Sequence, residues 1–185
     1  SVGGAARSNV FTRIALALFG ELPWRGVPFL PVEIVLLPRW FPFNLSKVSY
    51  WSRTVMVPLS VLTTLKPRAA NPLGVHVREL FATPPEQEQH YFRPRSLLNR
   101  LLFACEQVVR RFEPLIPGRL RRHALKRAED WILERRNGDA GLGAIFPAMV
   151  NAYEALALLG HAAEHPARRE TGKAIDDLLV VHDDV

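Results

Sequence analysis

The apolar residues follow a helical period wherever their pattern is clear, and this constrains the fold more than any other feature of the chain. Phe11, Ile14 and Leu18 recur at spacings of three and four, which predicts a helix over residues 10–18. The same period predicts helices over residues 48–65, 96–112, 119–136, 147–159 and 166–181. No segment alternates convincingly with period two. We therefore expect an all-α chain built from antiparallel helical hairpins.

Polar caps and prolines mark the helix ends and the connectors between them. Ser8 or Asn9 is suited to cap the first helix. Pro58 falls inside the second helix, where it removes a backbone donor and predicts a kink. Residues 21–46 and 66–94 contain most of the other prolines and are typical of irregular connectors. The length of 185 residues suits one domain with a core of its own.

Positive charge is concentrated in one part of the chain. Lys+Arg total 24 against 18 Asp+Glu, a formal net charge of +6. Residues 93–127 alone hold ten basic side chains and two acidic ones. Such a field favours an anionic surface, either nucleic acid or lipid headgroups. One candidate function is therefore a non-catalytic, arginine-rich helical protein that binds an anionic membrane or nucleic acid.

Three short patterns suggest metal or phosphate chemistry, but each lacks the required context. Residues 161–165 match the H-x-x-E-H pattern of one zinc protease class, yet Gly160 and Pro166 predict a turn there instead of a helix. The glycines at 138, 141 and 143 follow a helix and not a strand, unlike a dinucleotide-binding loop. The aspartate pairs at 176–177 and 183–184 point to different faces of a helix, so we expect a solvated helix end.

The predicted helix over residues 96–112 is strongly amphipathic. Its apolar stripe, about 140° wide, contains Leu97, Leu98, Leu101, Leu102, Cys105, Val108, Val109 and Phe112. Phe103 lies on the opposite, charged side. The pattern fits a helix that faces the core, with Cys105 as a small buried hydrophobe. It fits equally a helix that lies in a membrane surface, and composition does not separate the two. The single cysteine excludes a disulfide framework within the chain.

Two longer runs of sequence resemble the squalene–hopene cyclase family. One is F-P-F-N-L-S-K-V-S-Y-W-S-R-T-V-M-V-P-L at residues 41–59, and the other is D-W-I-L-E-R-R-N-G-D-A-G-L-G-A-I-F-P at residues 130–147. S-N-V-F-T-R at residues 8–13 and G-E-L-P-W at residues 20–24 agree with them. The resemblance spans the chain in order and is least distinctive between residues 67 and 120. The chain is thereby identified as an internal fragment of a triterpene cyclase.

The resemblance implies a fold of two α/α barrels, with residues 1–185 in the smaller, inserted barrel. It implies protonation of a terminal alkene of squalene, followed by ring closures that give hopene or hopanol. The family's proton donor, a D-x-D-D motif, belongs to the other barrel, so we expect no catalytic acid and no cyclase activity in this piece alone. No cofactor or metal is implied, because the electrophile is a proton.

The resemblance also implies which residues contact the substrate. Trp51, Ile145, Phe146 and Pro147 match substrate-binding positions, and Val48 and Met56 match an apolar entrance channel. The family often has Gln where Phe146 stands. A dry cavity with aromatic faces stabilises a carbocation without supplying a nucleophile, and these residues fit that chemistry.

In the same family, the helix over residues 96–112 belongs to an apolar surface that dips into one membrane leaflet. This favours the interfacial interpretation, with predicted membrane contacts at Leu97, Leu98, Leu101, Leu102 and Phe103. We expect a monotopic protein on the cytoplasmic side of the cell membrane. Its expected partners are squalene, the membrane surface and the remainder of the cyclase chain. No nucleic acid is expected, and whether the parent forms a homodimer stays open.

Overall fold

The computed structural model describes residues 4–89, 91–92, 96–136 and 141–178. Within these residues lie six α-helices and several short 3-10 segments, with no strand. The helices are α1 (Val10–Leu18), α2 (Tyr50–Leu65), α3 (Leu97–Phe112), α4 (Gly118–Glu134), α5 (Phe146–Leu158) and α6 (Pro166–Asp176). The all-α prediction is confirmed for the described residues.

The helix ends follow the local chemistry of the sequence. Asn9 Oδ1 accepts a hydrogen bond from Thr12 N at 3.0 Å, which identifies Asn9 as the cap of α1. Ser96 Oγ caps α3 in the same way, accepting from Asn99 N at 3.1 Å. Pro58 lies inside α2, as predicted. The α6 helix ends at Asp176, earlier than predicted, and residues 137–140 and 179–185 lie outside the described ranges.

The chain divides into two compact units, although its length suggested one domain. Unit 1 comprises Ser1–Phe29 and Lys66–Ile116, and unit 2 comprises Leu30–Leu65 and Pro117–Val185. The chain therefore passes between the units three times. Pro31, Pro67 and Pro117 lie at or next to these crossings, where a fixed φ angle and a missing donor favour a connector over a continued helix.

Unit 2 is a helical cluster around α2. This helix packs against α4 and α5, α5 packs against α6, and the 3-10 segment Val32–Leu36 packs against α4 and α2. The side chains that fill this core are Val57, Val61, Leu62, Ala124, Ala128, Ile132, Ala152, Ala155 and Leu156. The many alanines let the helix backbones approach closely, and burial of the larger side chains supplies most of the stabilisation.

Unit 1 is held partly by a buried cation. Arg13 in α1 is buried, and its Nη1 donates to Gly26 O at 2.9 Å and to Tyr91 O at 3.1 Å. Its guanidinium lies 4.7 Å from the ring centroid of Phe92. Burial lowers the pKa of Arg13, whereas the charge of Glu106 raises it. The side chain thus connects α1 to two irregular segments, the one around Gly26 and the one around Tyr91.

Candidate functional site

The first turn of α2 exposes an aromatic side chain. Ser49 Oγ accepts a hydrogen bond from Ser52 N at 3.2 Å and so fixes the start of the helix. Trp51 lies in this turn with 55% of its surface exposed. Its ring meets the ring of Tyr50 edge to face, with 6.2 Å between centroids. The capped turn therefore presents an indole at the surface of the described part of unit 2.

A tightly wound loop precedes α5. Gly141 and Gly143 have φ angles of 62° and 68°, which glycine adopts without steric cost. Ala144 has a φ angle of 51° and is strained, because its Cβ crowds the backbone in this region. Leu142, between the two glycines, is fully buried in unit 2. The buried leucine anchors the loop, and its neighbours Gly141, Gly143 and Ala144 have positive φ angles.

The three predicted substrate-binding residues of this region form the start of α5. Ile145 is the N-cap residue and is half-buried. Phe146 is 54% exposed, and Pro147 is half-buried in the first turn, where its missing N–H removes no helix bond. One aromatic and two aliphatic side chains thus follow each other at this end of the helix.

The Trp51 turn and this loop are brought together inside unit 2. A Cβ built on Gly143 would lie 2.7 Å from Oγ1 of Thr54, so the loop backbone rests directly on α2 one turn after Trp51. The α2 and α5 helices also pack against each other. Trp51 and residues 145–147 therefore stand on adjoining elements instead of on unrelated surfaces. That they bind substrate stays a prediction.

The two predicted entrance-channel residues flank Trp51 along the chain. Val48 directly follows the 3-10 segment Leu45–Lys47, and Met56 lies in the second turn of α2. Both are half-buried in the structure. An entrance-channel role for either residue stays a prediction.

Two charged side chains of α3, Glu106 and Arg110, are turned towards the rest of unit 1 and are half-buried. Glu106 Oε1 accepts hydrogen bonds from Phe29 N at 2.9 Å and from Arg110 Nη2 at 2.7 Å. Arg110 Nη2 also donates to Val27 O at 3.1 Å, and its guanidinium lies 5.2 Å from the Phe29 ring centroid. We call these contacts of Glu106 and Arg110 the polar clamp. Charge-assisted hydrogen bonds and cation–π contact thus attach this helix.

The apolar side of α3 is exposed. Leu97, for example, has 75% of its surface accessible. The apolar face of α3, as we define it, consists of Leu97, Leu101, Leu102, Val108, Val109 and Phe112. An exposed contiguous apolar face marks a surface that another body covers. The Leu98 side chain lies outside the described residues. No helix in the described ranges is both long and apolar enough to span a bilayer.

One prediction for α3 does not agree with the structure, and the predicted membrane contact of Phe103 stays a prediction. Cys105 is exposed, so its prediction as a buried small hydrophobe is wrong. The stripe on which it lies faces outwards because the opposite, charged side makes the contacts of the polar clamp. Phe103 is half-buried and packs against Phe92, with 5.6 Å between ring centroids. We therefore leave Phe103 out of the apolar face that we consider for membrane contact.

Part of the positive charge in residues 93–127 is neutralised locally. Arg110 pairs with Glu106 in the polar clamp, and Arg121 Nε lies 3.0 Å from Glu33 Oε1. Residues 93–95 lie outside the described ranges. Paired arginines contribute less to a long-range field, and this weakens the electrostatic argument for a nucleic-acid partner.

The H-x-x-E-H pattern lies in the turn between α5 and α6, as predicted. His161 Nε2 is 2.7 Å from Glu129 Oε1, and His165 Nδ1 accepts a hydrogen bond from Ala167 N at 3.2 Å. These nitrogens hold the turn and the start of α6. Among the residues that the structure describes, no three His, Cys, Asp or Glu side chains are grouped to hold a metal.

The glycine and aspartate patterns also have structural roles. A Cβ on Gly141 would collide with Met149 Sδ, so this glycine allows close packing in unit 2. Asp177 follows α6, is exposed and accepts a hydrogen bond from Lys173 Nζ at 2.7 Å. Gly138 and the pair at 183–184 lie outside the described ranges.

Two features of the site were missed at the level of sequence. One is the Thr54–Gly143 contact, for which the only sequence signal is a threonine four residues before Pro58. The other is the polar clamp, whose i,i+4 spacing of Glu106 and Arg110 was visible as a helix pair. That spacing does not reveal the contacts with Val27 and Phe29, which depend on the tertiary fold.

The comparisons with known proteins agree with the resemblance in the sequence. A family model described as the squalene-hopene cyclase N-terminal domain matches residues 1–184. The chain is 47% identical over 188 residues to a squalene–hopene cyclase of Bradyrhizobium diazoefficiens, covering 98% of this chain and 28% of the relative. It is 43% identical over 182 residues to a squalene–hopene cyclase of Zymomonas mobilis, covering 97% and 27%.

A more distant relative is a dammaradiene synthase of Dryopteris crassirhizoma, 30% identical over 171 residues, which cover 90% of this chain and 24% of that protein. The chain thus spans about a quarter of the length of these curated relatives. The comparisons give no support to a non-catalytic protein that binds anionic membranes or nucleic acid.

Proposed function

Because the chain belongs to the squalene–hopene cyclase family, we propose that it forms part of the smaller, inserted barrel of an enzyme that cyclises squalene to hopene or hopanol. In this proposal the reaction begins with protonation of a terminal alkene by an acid outside these residues. The chain contributes part of the wall of the substrate pocket and a helix that contacts the membrane. The remainder of the cyclase chain is its partner.

The observation that carries the pocket proposal is the meeting of the Trp51 turn with the loop before α5. One element exposes the ring of Trp51, and the other exposes the ring of Phe146 between the half-buried Ile145 and Pro147 in sequence. Aromatic faces attract a carbocation through their quadrupoles, and none of these four side chains is a nucleophile that would quench it. Such a wall holds the polyene folded, excludes water and lets positive charge move along the growing rings.

The test is product analysis with the full-length enzyme and squalene. Trp51→Ala is expected to lower complete cyclisation by about tenfold or more, or to release prematurely terminated products, since a desolvated cation–π contact contributes about 2 kcal/mol. Trp40→Ala is the matched control, because Trp40 is another exposed tryptophan of unit 2. Unchanged turnover and products in Trp51→Ala would remove Trp51 from the pocket.

The exposed apolar face of α3 supports contact with the membrane surface. The helix is attached through the polar clamp, and six large apolar side chains on its other side stay exposed. Burying such a face in the interfacial region of a bilayer is favourable in proportion to its area. We place the protein on the cytoplasmic side of the cell membrane, as a monotopic protein held from one leaflet.

A further inference from the structure

A buried threonine links the two segments of the proposed pocket wall. Thr54 is fully buried in α2, and its Oγ1 donates a hydrogen bond to Trp51 O at 2.7 Å. This bond is local, between the carbonyl of one residue and the side chain one turn later. The backbone that carries the Trp51 ring is thus tied to the position of the Thr54 side chain.

The same side chain supports the loop before α5. A Cβ on Gly143 would lie 2.7 Å from Thr54 Oγ1 and 3.0 Å from Thr54 Cβ, so only a glycine lets the loop backbone rest here. The next residue, Ala144, holds a strained φ angle of 51°. Strain of this kind persists only where the surroundings over-determine the backbone, and the support from Thr54 is part of those surroundings.

A proline makes this side-chain contact more important than it would be in a regular helix. Pro58 has no N–H for the carbonyl of Thr54, four residues earlier, and its ring crowds that carbonyl. The first turns of α2 are therefore not aligned with the rest of the helix by an unbroken hydrogen-bond ladder. Their direction depends more strongly on contacts such as those of Thr54.

We propose that Thr54 is a positioning residue that fixes the distance between the Trp51 ring and the side chains of residues 145–147. This inference rests on the proposed function. Thr54 is fully buried behind the wall and acts through its hydrogen bond to Trp51 and its contact with Gly143. It thereby sets the shape in which a polyene cation is held, and hence how far cyclisation proceeds before the cation is lost.

The experiment compares four variants of the full-length enzyme with squalene as the probe, one of them Gly143→Ala. Thr54→Val removes the hydroxyl and nearly keeps the shape, whereas Thr54→Ser keeps the hydroxyl. Thr63→Val is the matched control, because Thr63 is another buried threonine of α2 whose Oγ1 donates to a backbone carbonyl, Leu30 O, at 2.6 Å. Products are classified by the number of rings that have closed, and kcat and KM are measured for each variant.

Thr54→Val is expected to raise the fraction of incompletely cyclised products about tenfold and to lower kcat by a similar factor, because displacement of a catalytic geometry by about 1 Å is costly. KM is expected to stay within about twofold, since the polyene binds over a large apolar area. Thr54→Ser and Thr63→Val are expected to keep the wild-type product distribution. Gly143→Ala is expected to repeat the product change of Thr54→Val.

Wild-type products from Thr54→Val, or the same product change in Thr63→Val, would overturn the inference. Should Thr54→Val not fold, Thr54→Ala removes the hydroxyl without an added methyl and is judged by the same criteria. A changed product distribution in Trp51→Ala with none in the Thr54 variants defeats only the positioning role. If the wild-type enzyme forms no polycyclic product from squalene, the proposed function and this inference both fail.

Discussion

Helices α3 and α5 use their apolar residues in opposite ways. The α5 helix of unit 2 buries Ala152, Ala155 and Leu156 among its neighbours, as a helix of a globular core does. The α3 helix of unit 1 turns Glu106 and Arg110 inwards, where they are half-buried, and exposes apolar side chains such as Leu97 and Leu101. The comparison teaches that an apolar stripe predicts a face that will be covered, but does not tell whether protein or lipid covers it.

The sharpest test of this difference compares one leucine from each helix. Leu156→Ala in the core is expected to lower the free energy of unfolding by about 2–5 kcal/mol, because it leaves a cavity. Leu101→Ala on the exposed face is expected to change it by less than about 0.5 kcal/mol. Urea unfolding of the purified chain measures both. Equal losses would mean that the apolar face of α3 is buried in the folded chain.

A charge on the exposed face tests what covers it. Leu101→Glu is expected to weaken binding to phospholipid vesicles by about tenfold, because a carboxylate in the apolar region must be desolvated. The loss should persist in 0.5 M NaCl, whereas attraction between charges alone is screened at about that salt concentration. Cosedimentation measures the bound fraction.

Gln107→Glu is the control for this experiment. It adds the same charge to the same helix but lies away from the apolar face. Binding lost equally in both variants would argue against insertion of that face.

Removal of the polar clamp tests how α3 is attached. Arg110→Met takes away the hydrogen bonds to Glu106 and to Val27 O and leaves the half-buried Glu106 carboxylate with fewer partners. We expect a loss of about 1–2 kcal/mol in the free energy of unfolding. Arg110→Lys keeps the charge and is expected to lose less. A stable Arg110→Met variant would show that apolar contacts hold this helix.

The smallest expected effect is a pH dependence within unit 1. Burial raises the pKa of Glu21, but hydrogen bonds from His76 and Val77 N and the charges of His76 and Arg78 outweigh it and hold this pKa below its ordinary value of 4.5. A carboxyl whose pKa is lowered in the folded state stabilises the fold at pH values above its unfolded-state pKa. That contribution is lost as the pH falls through the folded-state pKa. Glu21→Gln should therefore be less stable at pH 7.

Thermal unfolding of both proteins between pH 7 and pH 3 measures this difference. The gap between wild type and Glu21→Gln should close as Glu21 becomes protonated. A gap that is constant with pH would indicate that the carboxylate charge contributes nothing.

The sequence predicted local features better than tertiary ones. A cap at Ser8 or Asn9, the proline inside α2 and the turn at residues 161–165 follow from short-range chemistry. All three are present, with Asn9 as the cap. The outward direction of Cys105 was not predictable, because the stripe pattern is the same for a helix facing a core and one facing a membrane. The Thr54–Gly143 contact joins residues far apart in the chain and depends on how α2 and α5 pack.

The threefold crossing between the units has a consequence for how the chain is made. The α2 helix is synthesised long before α5, its packing partner, because residues 66–145 come between them. At about 5–20 residues per second, that interval lasts roughly 4–16 s. During this time Val57, Val61 and Leu62 emerge from the ribosome without one of the helices that will bury them. The nascent protein is therefore most open to misassociation and to chaperones while residues 66–145 are being translated.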